Sequence, residues 1–237
     1  MSLARYCFAH GQLTLHWRTE AGTGALPAAF TDDALGAEAL ALAGPRARRV
    51  ARWDAAGWSN WWRLLEQIAD GRPAVVAIPL LEDAPPVPES FPLVFALPPS
   101  VAVRAAGDLP RGVALYLGAW FWEVAPFRPD SVETPVRQAG GLEPLYRQLI
   151  ARAYQEERRA LLPVEVPLYH RNRRLDLGEL LSPMLPHLGK ETVLLSGEDK
   201  TVLDALEEEL ERRGVPAIQV DPLIGLERLT KAGGALR

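Results

Sequence analysis

Apolar and polar positions along this chain follow two periods, and the switches between them outline its elements. "ARYCFAHGQLTLHWR", residues 4–18, holds two β-rich runs around a Gly-Gln break and predicts a hairpin. "GALPAAFTDDALGAEALALAG", 24–44, reads as an extended piece, a turn at Asp32-Asp33 and a short alanine-rich helix. In "GWSNWWRLLEQIADG", 57–71, Trp58, Trp61, Trp62, Leu65, Ile68 and Ala69 fall on one stripe, and Asp70-Gly71 ends it. That spacing predicts an amphipathic helix whose indoles pack into a core, without need of a ligand platform. "AVVAIPL", 74–80, and "PLVFALPPSVAV", 92–103, are short apolar runs typical of buried strands. The proline-rich "EDAPPVPES", 82–90, is the loop between them.

After "GDLP", 107–110, a similar order starts again. "GVALYLGAWFWEVAPF", 112–127, and "SVETPVR", 131–137, predict antiparallel strands. "GGLEPLYRQLIARAYQEERR", 140–159, predicts a long helix with Leu142, Leu145, Tyr146, Leu149, Ile150, Ala153 and Tyr154 inward. A less regular segment, 161–188, follows. "ETVLLSG", 191–197, is then a strand, "EDKTVLDALEEELERRG" a helix ended by Gly214, and "VPAIQVD" another strand. Pairs Glu208–Arg212 and Glu209–Arg213 suit the solvated face of that helix. "PLIGLERLTKAGGALR", 222–237, predicts a terminal helix. Each half opens with a hairpin and closes with alternating helix and strand, an α/β pattern with weak internal duplication. The break near 108 gives an N-terminal lobe, 1–108, and a C-terminal lobe, 109–237.

Bulk properties narrow the class. A chain of 237 residues, 48% hydrophobic and 24% charged, has room for two small lobes with cores of their own. Its longest uncharged apolar run, 112–122, is too short to cross a bilayer as a helix. No cationic leader with an apolar core opens the sequence, so a cytoplasmic setting is expected. The single cysteine, Cys7, excludes a disulfide framework and reads as a small buried hydrophobe. A net charge of −4 argues against a broad nucleic-acid surface, and "HRNRR", 170–174, reads as a solvated loop.

Candidate chemistry is sparse. His10 and His16 lie six apart, but the turn at Gly11-Gln12 is expected to keep them off a shared strand face, and no cysteine or acid completes a metal set. Turn chemistry explains the acidic pairs Asp32-Asp33 and Glu82-Asp83. "LLSGED" lacks the glycine that a nucleophile elbow places two residues before its serine, and neither a P-loop nor G-x-G-x-x-G occurs. Trp120 and Trp122 share a strand face, as buried core or as an interface anchor.

In their shared order these segments resemble the actin-like ATPase superfamily: heat-shock chaperone nucleotide-binding domains, rod-shape filament proteins and pilus-assembly ATPases. "LPAAFTDDALGAEALALAG", 26–44, resembles the chaperone stretch in which a proline, a strand and "fT" precede a turn and "vGeeAk". "AVVAIPL" resembles "aVitVPa", and "RQAGGLEPLYRQLI", 137–150, the Gly-Gly helix start after the second phosphate loop. "VLLSGEDKTVLDAL", 193–206, is similar to the adenosine-loop pattern "lvGGssriP", and "DPLIGLERLTKAGGAL", 221–236, to "dPdeaVa.GAa". The match covers most of the chain, in pieces. It implies a trimmed, two-lobed actin-like (ribonuclease-H-like) α/β fold, each lobe a mixed sheet with helices. The loop at 82–90 stands where relatives insert helices.

The family holds nucleotide phosphates between its lobes on backbone N–H groups of two hairpin loops, with acids supporting a magnesium ion. "FAHGQLTL" stands at "iDlGTTns": Gly11 aligns with the loop glycine, Ala9 takes the aspartate position, and Gln12-Leu13 replace the hydroxyl pair. "LYLGAWFWEV" stands at "vyDlGGGTfDv": Gly118 aligns and Glu123 stands for the later acid. Tyr116 there replaces the first aspartate, and Ala119, Trp120 and Phe121 replace glycines and threonine. In the adenosine loop Ser196 and Gly197 take the two glycine positions and Lys200 the arginine near the base. The resemblance therefore implies Gly11, Gly118, Ser196, Gly197 and Lys200 as nucleotide-contacting positions, with no catalytic residue and no metal ligand retained. Trp120 would fill phosphate volume, and burying a triphosphate without its cation is costly, so hydrolysis is expected to be lost.

The function implied is a pseudo-ATPase used as a protein-binding or assembly scaffold. Its partner would be another protein, of assembly or cell-envelope machinery, with no nucleic acid and no membrane span; a homo-oligomer is compatible. No cofactor is expected, ATP or ADP without magnesium being the exception to test. The alternatives are an adenine-nucleotide sensor or chaperone-like ATPase, and an unrelated small-molecule α/β enzyme with a site near Ser196 or Glu123.

Overall fold

The short run "CFAH" is buried along its whole length because both of its faces are covered. In the computed structural model, which describes residues 5–12, 14–27, 55–78, 87–89, 91–119, 121–129, 131–132, 134–139, 141–142, 177 and 181–234, this run is β1, Cys7–His10. It pairs antiparallel with β2, Thr14–Thr19, which pairs antiparallel with β3, Gly22–Pro27. On its other side β1 runs parallel to β4, Ala74–Ala77, and β4 parallel to β5, Leu93–Leu97. The order is β3-β2-β1-β4-β5.

The outer face of this sheet is covered by α1, Ala55–Ala69, as its apolar stripe predicts. Trp61, Trp62, Leu65 and Ala69 are buried against Cys7, Ala9, Leu15 and Val76. Edge-to-face stacking of the Trp61 and Trp62 rings, 4.9 Å between centroids, fills that layer with indole, and Phe91 packs on Trp62 at 5.3 Å. Burial pushes the Cys7 thiol up to about 11, against a smaller opposing pull from Arg72.

The apolar run 92–103 is not one strand. Pro98-Pro99 ends β5, and Pro99 opens α2, Pro99–Ala106, where its missing N–H costs nothing. Only residues 99–103 of this helix fall in the apolar run, too few to show a helical period, which is why the run reads as a strand.

The second sheet repeats the first. Gly112–Leu117 (β6) pairs antiparallel with Phe121–Arg128 (β7), and β7 antiparallel with Ser131–Val132 (β8) and Val136–Ala139 (β9). Following the four-residue helix α3, Leu185–Leu188, β10, Val193–Gly197, runs parallel to β6. Helix α4, Lys200–Arg212, leads to β11, Ala217–Gln219, parallel to β10. The order β11-β10-β6-β7-β8 mirrors the first sheet strand for strand, with the same pairing senses. Asp199 caps α4, accepting from the Thr201 and Val202 amides. On that helix Glu209 pairs with both Arg212 and Arg213, so Arg212 reaches one turn to Glu209 rather than the expected Glu208.

The sheets face each other across two helices. The last helix, α5, is Pro222–Gly234. Phe8, Val75 and Ala77 of the first sheet pack on Ala102 of α2 and on Leu223 and Leu226 of α5. Ala114, Tyr116 and Leu194 of the second pack on Val103 of α2. Where α2 and α5 cross, a Cβ on Gly225 would stand 1.8 Å from the Ala102 carbonyl oxygen, so the two backbones touch. Among the described residues no helix is long and apolar enough to cross a membrane. The predicted helices at 34–44 and from 143 onward, the loop at 82–86 and the basic 170–174 lie outside the described residues.

Candidate functional site

The turns of the β1–β2 and β6–β7 hairpins meet between the sheets. Gly11 takes φ 104°, and a Cβ there would lie 2.0 Å from the Thr14 carbonyl oxygen, so only glycine makes this turn. Its own carbonyl accepts from the Trp61 indole at 3.0 Å. Gly118 closes the second hairpin by donating to the Phe121 carbonyl at 3.0 Å. A Cβ on Gly118 would lie 2.6 Å from Gln12 Nε2, because the Gln12 side chain, 1% exposed, lies directly on it from the other lobe. Gly141 is held equally close, 2.3 Å from the Gly118 carbonyl oxygen by the same measure, and Leu142 donates to that oxygen. Trp120 lies outside the described residues, while Trp122 is buried in the core of the second lobe.

The β10–α4 turn approaches from the side. Ser196 is buried opposite Tyr116 in the sheet, and Gly197 sits so near β6 that a Cβ would fall 2.4 Å from the Leu117 carbonyl oxygen. Lys200 is exposed at the start of α4 and pairs with Asp204 at 3.0 Å. The five positions singled out in the sequence, Gly11, Gly118, Ser196, Gly197 and Lys200, thus lie on three turns of the interlobe region. Four of them are fixed by backbone packing or burial.

The residue that ties these turns together is Glu198, which is not one of those five positions. Glu198 Oε1 accepts from the Gln12 amide at 2.8 Å and from the Ala119 amide at 3.1 Å, and Oε2 accepts from the Thr14 amide at 3.0 Å. One carboxylate therefore gathers main-chain N–H groups from both hairpins. The only sequence signal was an acid at a position where the adenosine-loop pattern carries a small hydroxyl residue.

The strand ends also differ from the alignment. Alternation along β1 points Cys7 and Ala9 at α1, and Phe8 and His10 at the interlobe helices. The cleft-facing residue at the end of β1 is thus His10, one place after Ala9. In β6 it is Tyr116, as aligned. The two hairpins have unequal turns, 11–15 against 118–121, and a motif match by glycine position slips accordingly. His10 Nδ1 and the Tyr116 hydroxyl are 3.2 Å apart, a hydrogen bond between the lobes. Burial, then the neighbouring His16, holds the His10 pKa well below its ordinary value. Burial, then Glu198 and Glu123, holds that of Tyr116 well above. Both are neutral near pH 7. His10 and His16 do share a face: the hairpin sets them directly opposite, stacked at 4.8 Å and 6°. The turn expected to separate them is what brings them together, since cross-strand partners point the same way.

Glu123 is buried opposite Tyr116, but both its oxygens are engaged. Oε1 takes Arg137 Nε and Nη2 at 2.7 and 2.5 Å, and Oε2 takes the amide and hydroxyl of Ser100 at 3.2 and 3.1 Å. It anchors the first turn of α2 to the second sheet. A cleft of about 500 Å³ opens beside the first hairpin, lined by His16, Trp17, Arg18, Glu198, Lys200 and Asp221 among others. Arg18 spans it to Asp221 at 3.5 Å and Glu227 at 3.6 Å. Among the described residues no group of three or more His, Cys, Asp or Glu is placed to hold a metal ion.

Two lobes of repeated topology, joined by crossing helices and closed over paired hairpins, define the actin-like fold. Solved structures agree. MreB5 of Spiroplasma citri bound to ADP matches with a TM-score of 0.59 at 12% identity, over 98% of this chain and 97% of that one. The MamK double helical filament matches at 0.56 and 13%, over 97% and 99%. The ethanolamine utilization protein EutJ from Carboxydothermus hydrogenoformans matches at 0.50 and 14%, over 94% and 88%. All three are members of the actin-like ATPase superfamily, and identities this low carry the fold alone. No protein-family model matches the sequence, and no curated protein matches it.

A magnesium-bound triphosphate does not fit the described residues between the hairpins. Magnesium is held by hard oxygen ligands, and the cleft-facing strand ends offer a neutral imidazole and a neutral phenol. The amides that would meet phosphate oxygens already hold a carboxylate, and a second anion there would repel it.

Proposed function

We propose that this actin-like protein is a protein-binding or assembly scaffold that does not turn over nucleotide, its lobes divided as 1–108 and 109–237. The observation that carries the reading is the His10–Tyr116 hydrogen bond, two neutral side chains joined at the strand ends where the superfamily places aspartates. Phosphoryl transfer depends on positioned metal and charge, so a site without acids at those positions lacks the main source of rate. The likeness to the MamK filament supports self-assembly or the grip of another protein as the retained use of the fold. Phosphate release from ATP with magnesium should stay at the level without protein, and sedimentation with its partner or itself should be unchanged by nucleotide. Steady turnover by the wild-type chain would overturn the reading.

A second reading, an adenine-nucleotide sensor, is supported by the likeness to an ADP-bound MreB5 and by Lys200 standing free of the core at the cleft. Calorimetry with ADP, with and without magnesium, decides it, and Lys200→Ala is the variant to compare. Gly197→Trp is a poor probe because any side chain at 197 strikes the Leu117 carbonyl.

A further inference from the structure

We propose that the amides of Gln12, Thr14 and Ala119 form an oxyanion seat whose resident anion is the chain's own Glu198 carboxylate, a tethered group that latches the lobes together without a ligand. Converging main-chain N–H groups of turns make an anion-binding concavity. Here two of the three donors come from the first lobe's hairpin, at 2.8 and 3.0 Å, and the third from the second lobe's hairpin, at 3.1 Å. Hydrogen bonds to an ionised acceptor are roughly twice as strong as neutral ones. The carboxylate thus bridges the lobes rather than decorating one of them.

Its backbone is fixed for the task. The Glu198 amide donates to the Leu117 carbonyl at 3.2 Å, the next residue caps α4, and Gly197 lets the turn lie against β6. A group attached in this way competes with free anions at the high effective concentration of an intramolecular partner. The Gln12 side chain lying on Gly118 takes up further space between the hairpins. Lobe closure in this chain is therefore set by its own sequence, where a bound oxyanion of the phosphate class would otherwise set it. The inference rests on the scaffold reading only for the resemblance of the hairpins to phosphate loops.

The test uses Glu198→Ala and Glu198→Gln in the full chain, with inorganic phosphate as the probe at constant ionic strength. The wild type should melt at a temperature indifferent to millimolar phosphate. Glu198→Ala should melt lower, scatter X-rays as a more open particle, and regain both properties as phosphate rises. Glu198→Gln, which keeps an acceptor oxygen but loses the charge, should fall between. A Glu198→Ala protein that is as compact and as stable as the wild type, and blind to phosphate, overturns the latch. So does a wild type that responds to phosphate as strongly as the variant. Should the variant fail to fold, hydrogen exchange on the wild type decides: the amides of Gln12, Thr14 and Ala119 must be protected with no anion added, and fast exchange refutes the seat. These outcomes are independent of ATP turnover, which bears on the scaffold reading alone.

Discussion

Replacing Gly225 by alanine tests the crossing of α2 and α5, on which the placement of both hairpins depends. The added methyl would stand 1.8 Å from the Ala102 carbonyl oxygen, 2.8 Å from its carbon and 3.0 Å from the Ala106 nitrogen. All three are main-chain atoms of a helix and have no rotamer to escape into. Ordinary contact lies near 3.5 Å, so α5 must retreat by roughly 1.5 Å, lifting Leu223 and Leu226 from the first sheet. Overpacking of this kind costs about 1–3 kcal/mol. Against it stands the preference of a helix interior for alanine over glycine, about 1 kcal/mol. The net is a loss of up to about 2 kcal/mol, and each kcal/mol lowers Tm by about 2–4 °C in a chain of this size. Gly233, in the same helix, meets nothing within 4 Å. There the same substitution carries only the propensity term and should stabilise by up to about 1 kcal/mol. Thermal and urea unfolding of the two variants, followed by circular dichroism, should give shifts of opposite sign. If Gly225→Ala stabilises as Gly233→Ala does, the helices do not touch as described.

Two further outcomes follow from buried groups. Glu123→Ala leaves the Arg137 guanidinium and the Ser100 amide without their shared acceptor, a loss of about 3–5 kcal/mol read in urea unfolding, and a loss below about 1 kcal/mol would refute the pairing. His10 titrates near 6.5 when unfolded and well below that when folded, so its contribution is complete above about pH 6.5 and drains away as pH falls toward the folded value. The facing groups are His16 and Tyr116, and His10→Gln should flatten the decline in urea midpoint below neutral pH; an unchanged slope would assign it elsewhere.

Legibility in the sequence followed the kind of force involved. The α1 stripe and the β10–α4–β11 unit were readable because burial imposes a period and because caps and stops are local. The α2 helix was not, since only residues 99–103 of it lie in the apolar run, too few to show a helical period. The cleft-facing end of β1 was misplaced by one residue, from His10 to Ala9, because strand faces alternate and turn lengths do not announce themselves. Glu198 was invisible for a different reason. Its partners are peptide N–H groups 186 and 184 residues away in one hairpin and 79 away in the other, and every residue but proline has that donor.

Helix α5 covers a sheet whose first strands are made long before it. Ala102 of α2 covers part of the face shared by Phe8, Val75 and Ala77, but Leu223 and Leu226 complete it only once residues 222–234 have emerged from the ribosome. Synthesis therefore leaves an apolar β surface waiting through most of translation, a hazard for association with other nascent chains. A polypeptide halted before residue 222 would leave the part of that surface under Leu223 and Leu226 open.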